Sequence, residues 1–325
     1  MTALNDISDS PRDHGGGIDA AAQRWGGHRD AWLDLSTGIN PCPYPLPALP
    51  NGAWTALPDA AAHAALVAAA RAFWTVPREL DVLPCPGASS AIARLPTLGA
   101  PGRVYIPLPT YNEHAAAFHA AGWEIATDAE TSADATVLVH PNNPDGRWWS
   151  AESLPRTGWL VLDESFCDVA PERSLVSAVE SRPNTLILKS FGKFWGLAGL
   201  RLGFVIGAPD QVGRLRDRIG PWAVSGPALA IGTAALRDVG WASATRARLA
   251  TDAARLDHVM QTAGAAYVGG TSLFRLYDVG DAVAMQERLA AAHIWTRRFP
   301  YSDSWLRLGL PGCEADWNRL ESALG

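Results

Sequence analysis

The sequence predicts an α/β protein in three layers, a mostly parallel sheet covered by helices on both faces, with a smaller C-terminal α/β domain. Three observations carry this. Helix-like and strand-like segments alternate from Asp59 onward. The strand-like segments are short, β-branched and almost wholly apolar, as strands buried on both faces must be. Polar residues gather where those segments end, and ligands of open α/β sheets bind beyond the carboxyl ends of the strands.

The totals agree. The chain has 325 residues, 48% of them hydrophobic, which is enough for one large core or for two domains. Its formal charge of -6 lacks the basic excess of a general nucleic-acid binder. The opening "MTALNDISDSPRDHGGG" carries acids and no apolar core, so no signal peptide is expected. The most apolar helical run, Asp59 to Trp74, is short and interrupted by charge, so no membrane span is expected. Cys42, Cys85, Cys167 and Cys313 show no metal-like spacing and the eight histidines are scattered. Reduced thiols, a cytoplasmic location and no metal site are the expectations.

In chain order, "WLDLS" (Trp32 to Ser36) is a short strand candidate, and the proline-rich stretch from Asn40 to Gly52 is irregular. Asp59 to Trp74 is a buried or half-buried helix. Strands are expected at Arg103 to Pro109, Ala135 to Pro141, Trp159 to Ser165, Thr185 to Phe191 and Leu200 to Gly207. Between them, "NEHAAAFHAAG" and "RSLVSAVESR" read as helices. After Pro209 the pattern changes to a long helical region, about Pro227 to Ala263, then "SLFRLYDV", "DAVAMQERLAAAH", "WTRRF", "WLRLGL" and a closing helix, "EADWNRLESAL". A domain boundary is expected near residue 209.

The strand ends offer "PGASS", "PTYNEH", "PNNPDG", "DESF" and "KSFGK": hydroxyls, amides, an acid and an amine. Such a set suits pyridoxal phosphate, whose amine link, ring nitrogen, phenolic oxygen and phosphate must each be held separately. An acid beside the ring nitrogen favours its protonated form. The phosphate calls for hydroxyls, helix N-terminal amides and an arginine.

These motifs resemble the fold type I pyridoxal-phosphate enzymes of the aminotransferase class I/II superfamily. In "SFGKFWGLAGLRLG", Ser190 precedes Lys193 by three residues and Arg201 follows it by eight, as in that family. "HPNNPDG" is similar to its Asn-Pro-Thr-Gly element, and "LDESF" to its Asp-Glu-Ala-Tyr element. The resemblance implies that Lys193 is the Schiff-base lysine and that Asp163 partners the ring nitrogen. It implies that Asn143 bonds the phenolic oxygen and that Tyr111 stacks on the ring. Ser190, Arg201, Ala88 and Ser89 would hold the cofactor phosphate, and Arg307 would clamp the substrate carboxylate. Within the superfamily, "HGGG" (His14 to Gly17), "DLSTGINP" (Asp34 to Pro41), Phe166 and "GPWAVS" (Gly220 to Ser225) resemble the decarboxylases of phosphorylated threonine in cobalamin biosynthesis. That group is itself similar to histidinol-phosphate aminotransferases. His14, Gly38, Asn143, Arg297 and Arg307 are then the expected substrate contacts, with His14 and Arg297 assigned to the remote phosphate. Residues 1–40 become an arm serving the substrate site, 41–209 the cofactor domain, and 210–325 the connecting helix and small domain.

The implied function is decarboxylation of a small phosphorylated amino acid by a homodimer. The alternative is an aminotransferase acting on histidinol phosphate or a related amino acid. Four positions depart from the family: Leu57 replaces a tyrosine that reaches the neighbouring subunit's phosphate site, Asp145 replaces threonine, Gly17 replaces asparagine, and Gly192 stands where a hydroxyl is common. Simpler roles compete at several sites. Asp163 alone would be a turn cap, Ser89 and Ser90 a helix cap, Tyr111 a packed aromatic, His14 a solvated loop residue and Arg297 an edge-strand residue facing solvent. Lys189 reads as the ordinary lysine, at the margin of the site or in solvent.

Overall fold

A computed structural model describes residues 14–128, 132–155, 158–180 and 182–325. Most of the opening read for a signal peptide therefore lies outside the described residues. The strands in chain order are β1 (Leu33–Asp34), β2 (Asp81–Cys85), β3 (Arg103–Tyr105), β4 (Glu124–Ala126), β5 (Ala135–Val139), β6 (Trp159–Asp163), β7 (Thr185–Ser190), β8 (Gly203–Gly207), β9 (Ala266–Thr271), β10 (Phe274–Asp278), β11 (Ile294–Trp295), β12 (Arg297–Phe299) and β13 (Ser302–Leu308). The helices are α1 (Ile18–Trp25), α2 (Gly52–Thr55), α3 (Ala60–Phe73), α4 (Ala88–Ile92), α5 (Asn112–Ala120), α6 (Pro209–Ile219), α7 (Gly226–Arg237), α8 (Val239–Thr262), α9 (Ala282–Ala291) and α10 (Glu314–Leu324).

The chain divides into two compact units. The larger spans Pro43–Asn143 and Arg147–Ala244; the smaller comprises the chain up to Cys42, Pro144–Gly146 and Thr245–Gly325. The boundary expected near residue 209 thus falls at Thr245, because α7 packs along α3 and so belongs to the larger unit. The long helix expected from Pro227 to Ala263 is two helices. Asp238 leaves the helical conformation (φ −89°, ψ 73°), and its carboxylate accepts from the Trp241 amide at 2.9 Å, starting α8 anew. "RSLVSAVESR" forms only short 3₁₀ turns over its described residues.

In the larger unit a seven-stranded sheet runs in the order β2-β8-β7-β6-β5-β3-β4. Five strands, β7-β6-β5-β3-β4, are mutually parallel; β8 runs antiparallel to both β7 and β2. The central strands are buried almost throughout, which is why they read as apolar runs. β4 has only one buried residue and gives no such signal. Helix starts follow local rules: Asp59 caps α3 by accepting from the Ala62 amide at 3.0 Å, and Ser225 caps α7 ahead of Pro227. The core is rich in rings. Phe118 lies 5.3 Å from Trp123 and 5.8 Å from Trp159. Phe191, Trp195 and Trp241 stack in series at 5.0 and 5.3 Å, with Tyr44 and Phe194 edge-on.

The smaller unit holds an antiparallel sheet, β12-β13-β10-β9, and the parallel pair β1-β11. α1 packs Ile18 and Ala21 against Trp32 and Ala290, with Trp25 and Trp295 alongside. The N-terminal segment is tied down at Gly16. Its amide donates to Ser36 Oγ at 2.6 Å, and its carbonyl accepts from Trp295 Nε1 at 2.9 Å. Among the described residues no helix is long and apolar enough to cross a membrane.

Phe118 is fully buried among aromatic neighbours that have little freedom to close a void. Phe118→Ala is expected to lower the unfolding free energy by about 3–5 kcal/mol, measured by urea denaturation.

Candidate active site

At the carboxyl ends of β5, β6 and β7 the larger unit encloses a cavity of about 110 Å³. Ala88, Ser89, Tyr111, Asn143, Asp163, Ser190, Lys193 and Arg201 all line it, together with Phe166. Residues spread over more than a hundred positions meet here because adjacent parallel strands end side by side.

One glycine organises one wall. Gly203 pairs with Ser190 on β7 and with Cys85 on β2. A methyl group on Gly203 would lie 2.4 Å from the Ala88 nitrogen, so only glycine lets the start of α4 sit this close to the sheet. Gly87 is similar: it has φ 78°, and a side chain there would strike the Arg201 guanidinium at 2.6 Å. Arg201 itself holds a left-handed backbone (φ 53°) and donates from Nη1 to the Ala198 carbonyl at 3.0 Å. Strain of this kind concentrates at ligand sites, where the surrounding structure enforces it. Ser190, the amides of Ala88 and Ser89, the Ser89 hydroxyl and Arg201 therefore form a polar corner of anion-binding chemistry.

Asp163 lines the same cavity and is buried. Its Oδ2 lies 2.8 Å from His114 Nε2, and its Oδ1 accepts from the Ser165 amide at 2.9 Å. Burial pushes the carboxyl up, but the His114 bond and charge and the Ser165 bonds outweigh it and hold the group below its ordinary value. A carboxylate that stays ionised in a buried place can keep a facing ring nitrogen protonated. Sequence reading missed His114. It lies three residues beyond Tyr111 on α5, one helical turn, and that spacing is the signal available beforehand.

The two asparagines after β5 differ. Asn142 is structural: its Oδ1 accepts from Thr110 at 2.6 Å and its Nδ2 donates to the Pro109 carbonyl at 3.0 Å. Asn143 lines the cavity. Tyr111 does so too, while packing against the larger unit's core and edge-on to His114 at 5.9 Å, which is the packed-aromatic role expected of it. Lys193 is half-buried, its Nζ 5.4 Å from the centre of the Phe166 ring.

Lys189 corrects the sequence reading. It is 1% exposed and bonded to Glu164 Oε2 at 2.5 Å. Of the two places expected for it, solvent is ruled out because Glu164, the residue just past β6, accepts its ammonium. Among the described residues, His140, Glu164 and Cys167 form one group close enough to hold a metal. Protein partners already engage the first two. His140 Nδ1 accepts from the Trp149 amide at 3.0 Å and its Nε2 meets the Arg173 carbonyl at 2.7 Å, while Glu164 serves Lys189, Ser174 and Leu175. Burial pushes the Cys167 thiol up, and that of Cys85 to about 12.

The remaining expected residues lie in the smaller unit. His14 is exposed, at the start of the segment pinned by Gly16. Gly38 is buried in the turn after Ser36, and the Ser36 carbonyl accepts from Arg307 Nη2 at 2.7 Å. Arg297 and Arg307 are directly opposite partners on β12 and β13. Arg297 is half-buried on the edge strand, and both guanidinium groups lie near the Phe299 ring, at 5.5 and 6.0 Å.

The cavity fits pyridoxal phosphate by its donor set: an amine, a buried ionised acid, a side-chain amide, an aromatic ring and an anion-binding corner. Fold and site together define an α/β enzyme of the pyridoxal-phosphate type. Residues 33–320 match the aminotransferase class I and II family, and the chain belongs to it. It is 42% identical to a threonine-phosphate decarboxylase of Sinorhizobium sp., over 97% of this chain and 98% of that one. It is 40% identical to the threonine-phosphate decarboxylase of Pseudomonas aeruginosa, over 96% and 97%. The fold is similar to that of histidinol-phosphate aminotransferase from Sinorhizobium meliloti in complex with pyridoxal-5'-phosphate, with a TM-score of 0.80, 21% identity, and 100% and 97% of the two chains covered.

His114→Leu is expected to remove one of the two partners that keep Asp163 ionised, leaving the Ser165 bonds alone against burial. In the parent, a folded-state value below the unfolded one contributes stability above about pH 4 that is lost as pH falls further. In the variant only the Ser165 bonds work against burial, so this contribution at neutral pH shrinks. The parent's advantage should be about 1–3 kcal/mol at pH 7 and narrow towards pH 4, read from denaturation at each pH.

Proposed function

We propose that this protein decarboxylates L-threonine O-3-phosphate to (R)-1-aminopropan-2-yl phosphate, a step of cobalamin biosynthesis, as a cytoplasmic homodimer. One observation carries the choice of a doubly anionic substrate: the direct cross-strand pairing of Arg297 and Arg307. Two guanidinium groups on neighbouring strands suit a substrate that carries both a carboxylate and a phosphate. The decarboxylases at 42% and 40% identity support the particular substrate.

Each residue then has a task. Lys193 holds the cofactor through its amine. Asp163, oriented by His114, keeps the ring nitrogen protonated, and Asn143 bonds the phenolic oxygen. Tyr111 covers a ring face, and Ser190, Arg201, Ala88 and Ser89 hold the phosphate. Bound pyridoxal phosphate supplies an electron sink for a bond at the substrate's Cα, weakening whichever one stands perpendicular to its ring. The protein's part in selecting that bond is orientation. Arg307 takes the carboxylate in a bidentate fork. Arg297 and His14 take the remote phosphate, and Gly38 is a further substrate contact. Anchoring a non-reacting group fixes the rotation of the reacting one. The Lys193 amine would also be available to carry a proton.

The test is incubation with threonine phosphate, with and without 2-oxoglutarate. Carbon dioxide release independent of the keto acid is the expected result. Glutamate formation would instead mark an aminotransferase. Lys193→Ala is expected to abolish both turnover and the visible absorption of the bound cofactor.

An apolar surface supports the dimer. A groove of about 690 Å³ is lined by Leu46, Trp54, Pro58, Leu197, Leu200 and Ile231. Leu46 and Trp54 are strongly exposed, as is Leu57 nearby in sequence at 68%. Large aromatic and aliphatic side chains left in water mark an association surface. Leu57 can serve it by burial in place of the missing tyrosine hydroxyl. Light scattering should give twice the 34.6 kDa chain mass, and Trp54→Asp should shift the population to monomer.

A further inference from the structure

We infer that the buried Lys189–Glu164 ion pair is a positioning device that holds the ends of β6 and β7 in the geometry cofactor binding requires. The inference rests on reading the cavity as the cofactor site. Glu164 directly follows Asp163, and Lys189 directly precedes Ser190. Successive side chains of extended backbone point to opposite faces. Asp163 and Ser190 line the cavity, so Glu164 and Lys189 meet behind it. The strands are locked in register beside this pair, with Asp163 opposite Leu188 and the Glu164 amide donating to the Leu188 carbonyl at 2.9 Å.

The pair is enclosed and its polar atoms are engaged. Lys189 and Glu164 are each 1% exposed. Glu164 Oε2 takes Lys189 Nζ at 2.5 Å and Ser174 Oγ at 2.7 Å, and its Oε1 takes the Leu175 amide at 2.6 Å. Lys189 Nζ also lies 3.8 Å from Asp168 Oδ1, which accepts from Trp74 Nε1 at 2.9 Å. Stability does not account for this arrangement, because a buried ion pair is often no better than apolar side chains of the same size. What it adds is a fixed distance between two strands, one ending in the cavity's acid and the other leading through Ser190 to Lys193. It adds charge control as well. One lysine stands against two carboxylates, and without it their charge would act on Asp163 from behind, disfavouring its ionised form.

The experiment measures pyridoxal-phosphate binding by equilibrium dialysis and the pH midpoint of the bound cofactor's visible band. The proteins are the parent, Lys189→Met, Lys189→Arg and Glu164→Gln, all kept below their melting temperatures. Lys189→Met and Glu164→Gln are expected to weaken cofactor binding by about tenfold or more, as removing a partner that orients a ligating group does, and to move the pH midpoint. Lys189→Arg should restore most of both. A fold-only role would lower the melting temperature and leave the midpoint unmoved. Parental affinity, within about twofold, and a parental midpoint in both Lys189→Met and Glu164→Gln would overturn the inference. If Lys189→Met does not fold, Glu164→Gln, which keeps the side chain's shape, decides it alone. Failure of the parent to bind the cofactor would refute the reading of the cavity instead.

Discussion

The register running through β6, β7 and β8 is the constraint on which the larger unit's chemistry depends. Asp163 lies opposite Leu188, and Ser190 lies opposite Gly203. Gly203 in turn admits the Ala88 amide at a distance no other residue allows. A slip of one residue would turn every cavity side chain to the other face. Such a slip would part the buried His114–Asp163 and Lys189–Glu164 pairs and leave charges unpaired in the core, which is expensive. The site is therefore as rigid as the core beneath it, which suits a cavity that must hold several groups at fixed separations.

Much of this was legible in the sequence, for a physical reason. Parallel strands buried on both faces appear as apolar runs, and whatever polar residue ends the run stands at the ligand-binding edge. "WLVLDES" and "TLILKSF" declare both the strand and its end. The weak elements were those lacking such a run. β4 keeps a single buried residue, and β9 begins with three exposed ones, so neither shows a clear pattern. The break at Asp238 went unread because a single residue that both leaves and caps a helix looks helical by composition.

The site residues divide along the same line. The eight expected on the cofactor side meet in one cavity because each sits at a strand end or a helix start. His114 and Lys189 were missed because their importance lies in partners distant in sequence. His114 is 49 positions from Asp163, and Lys189 is 25 from Glu164. A charge pair formed across strands leaves no periodic trace, and only topology reveals it.

The loop after β5 has a consequence for how the protein ages. Asparagine loses its amide most readily when the following backbone nitrogen attacks the side chain, and that attack needs an N–H. Asn143 is followed by Pro144, which has none. Asn142 is followed by Asn143, but both ends of its amide are bonded, to Thr110 and to the Pro109 carbonyl. One asparagine is thus protected by its successor and the other by its clasp. A spontaneous negative charge, the most damaging slow change for an anion-binding cavity, is kept from arising at this wall over the lifetime of the chain.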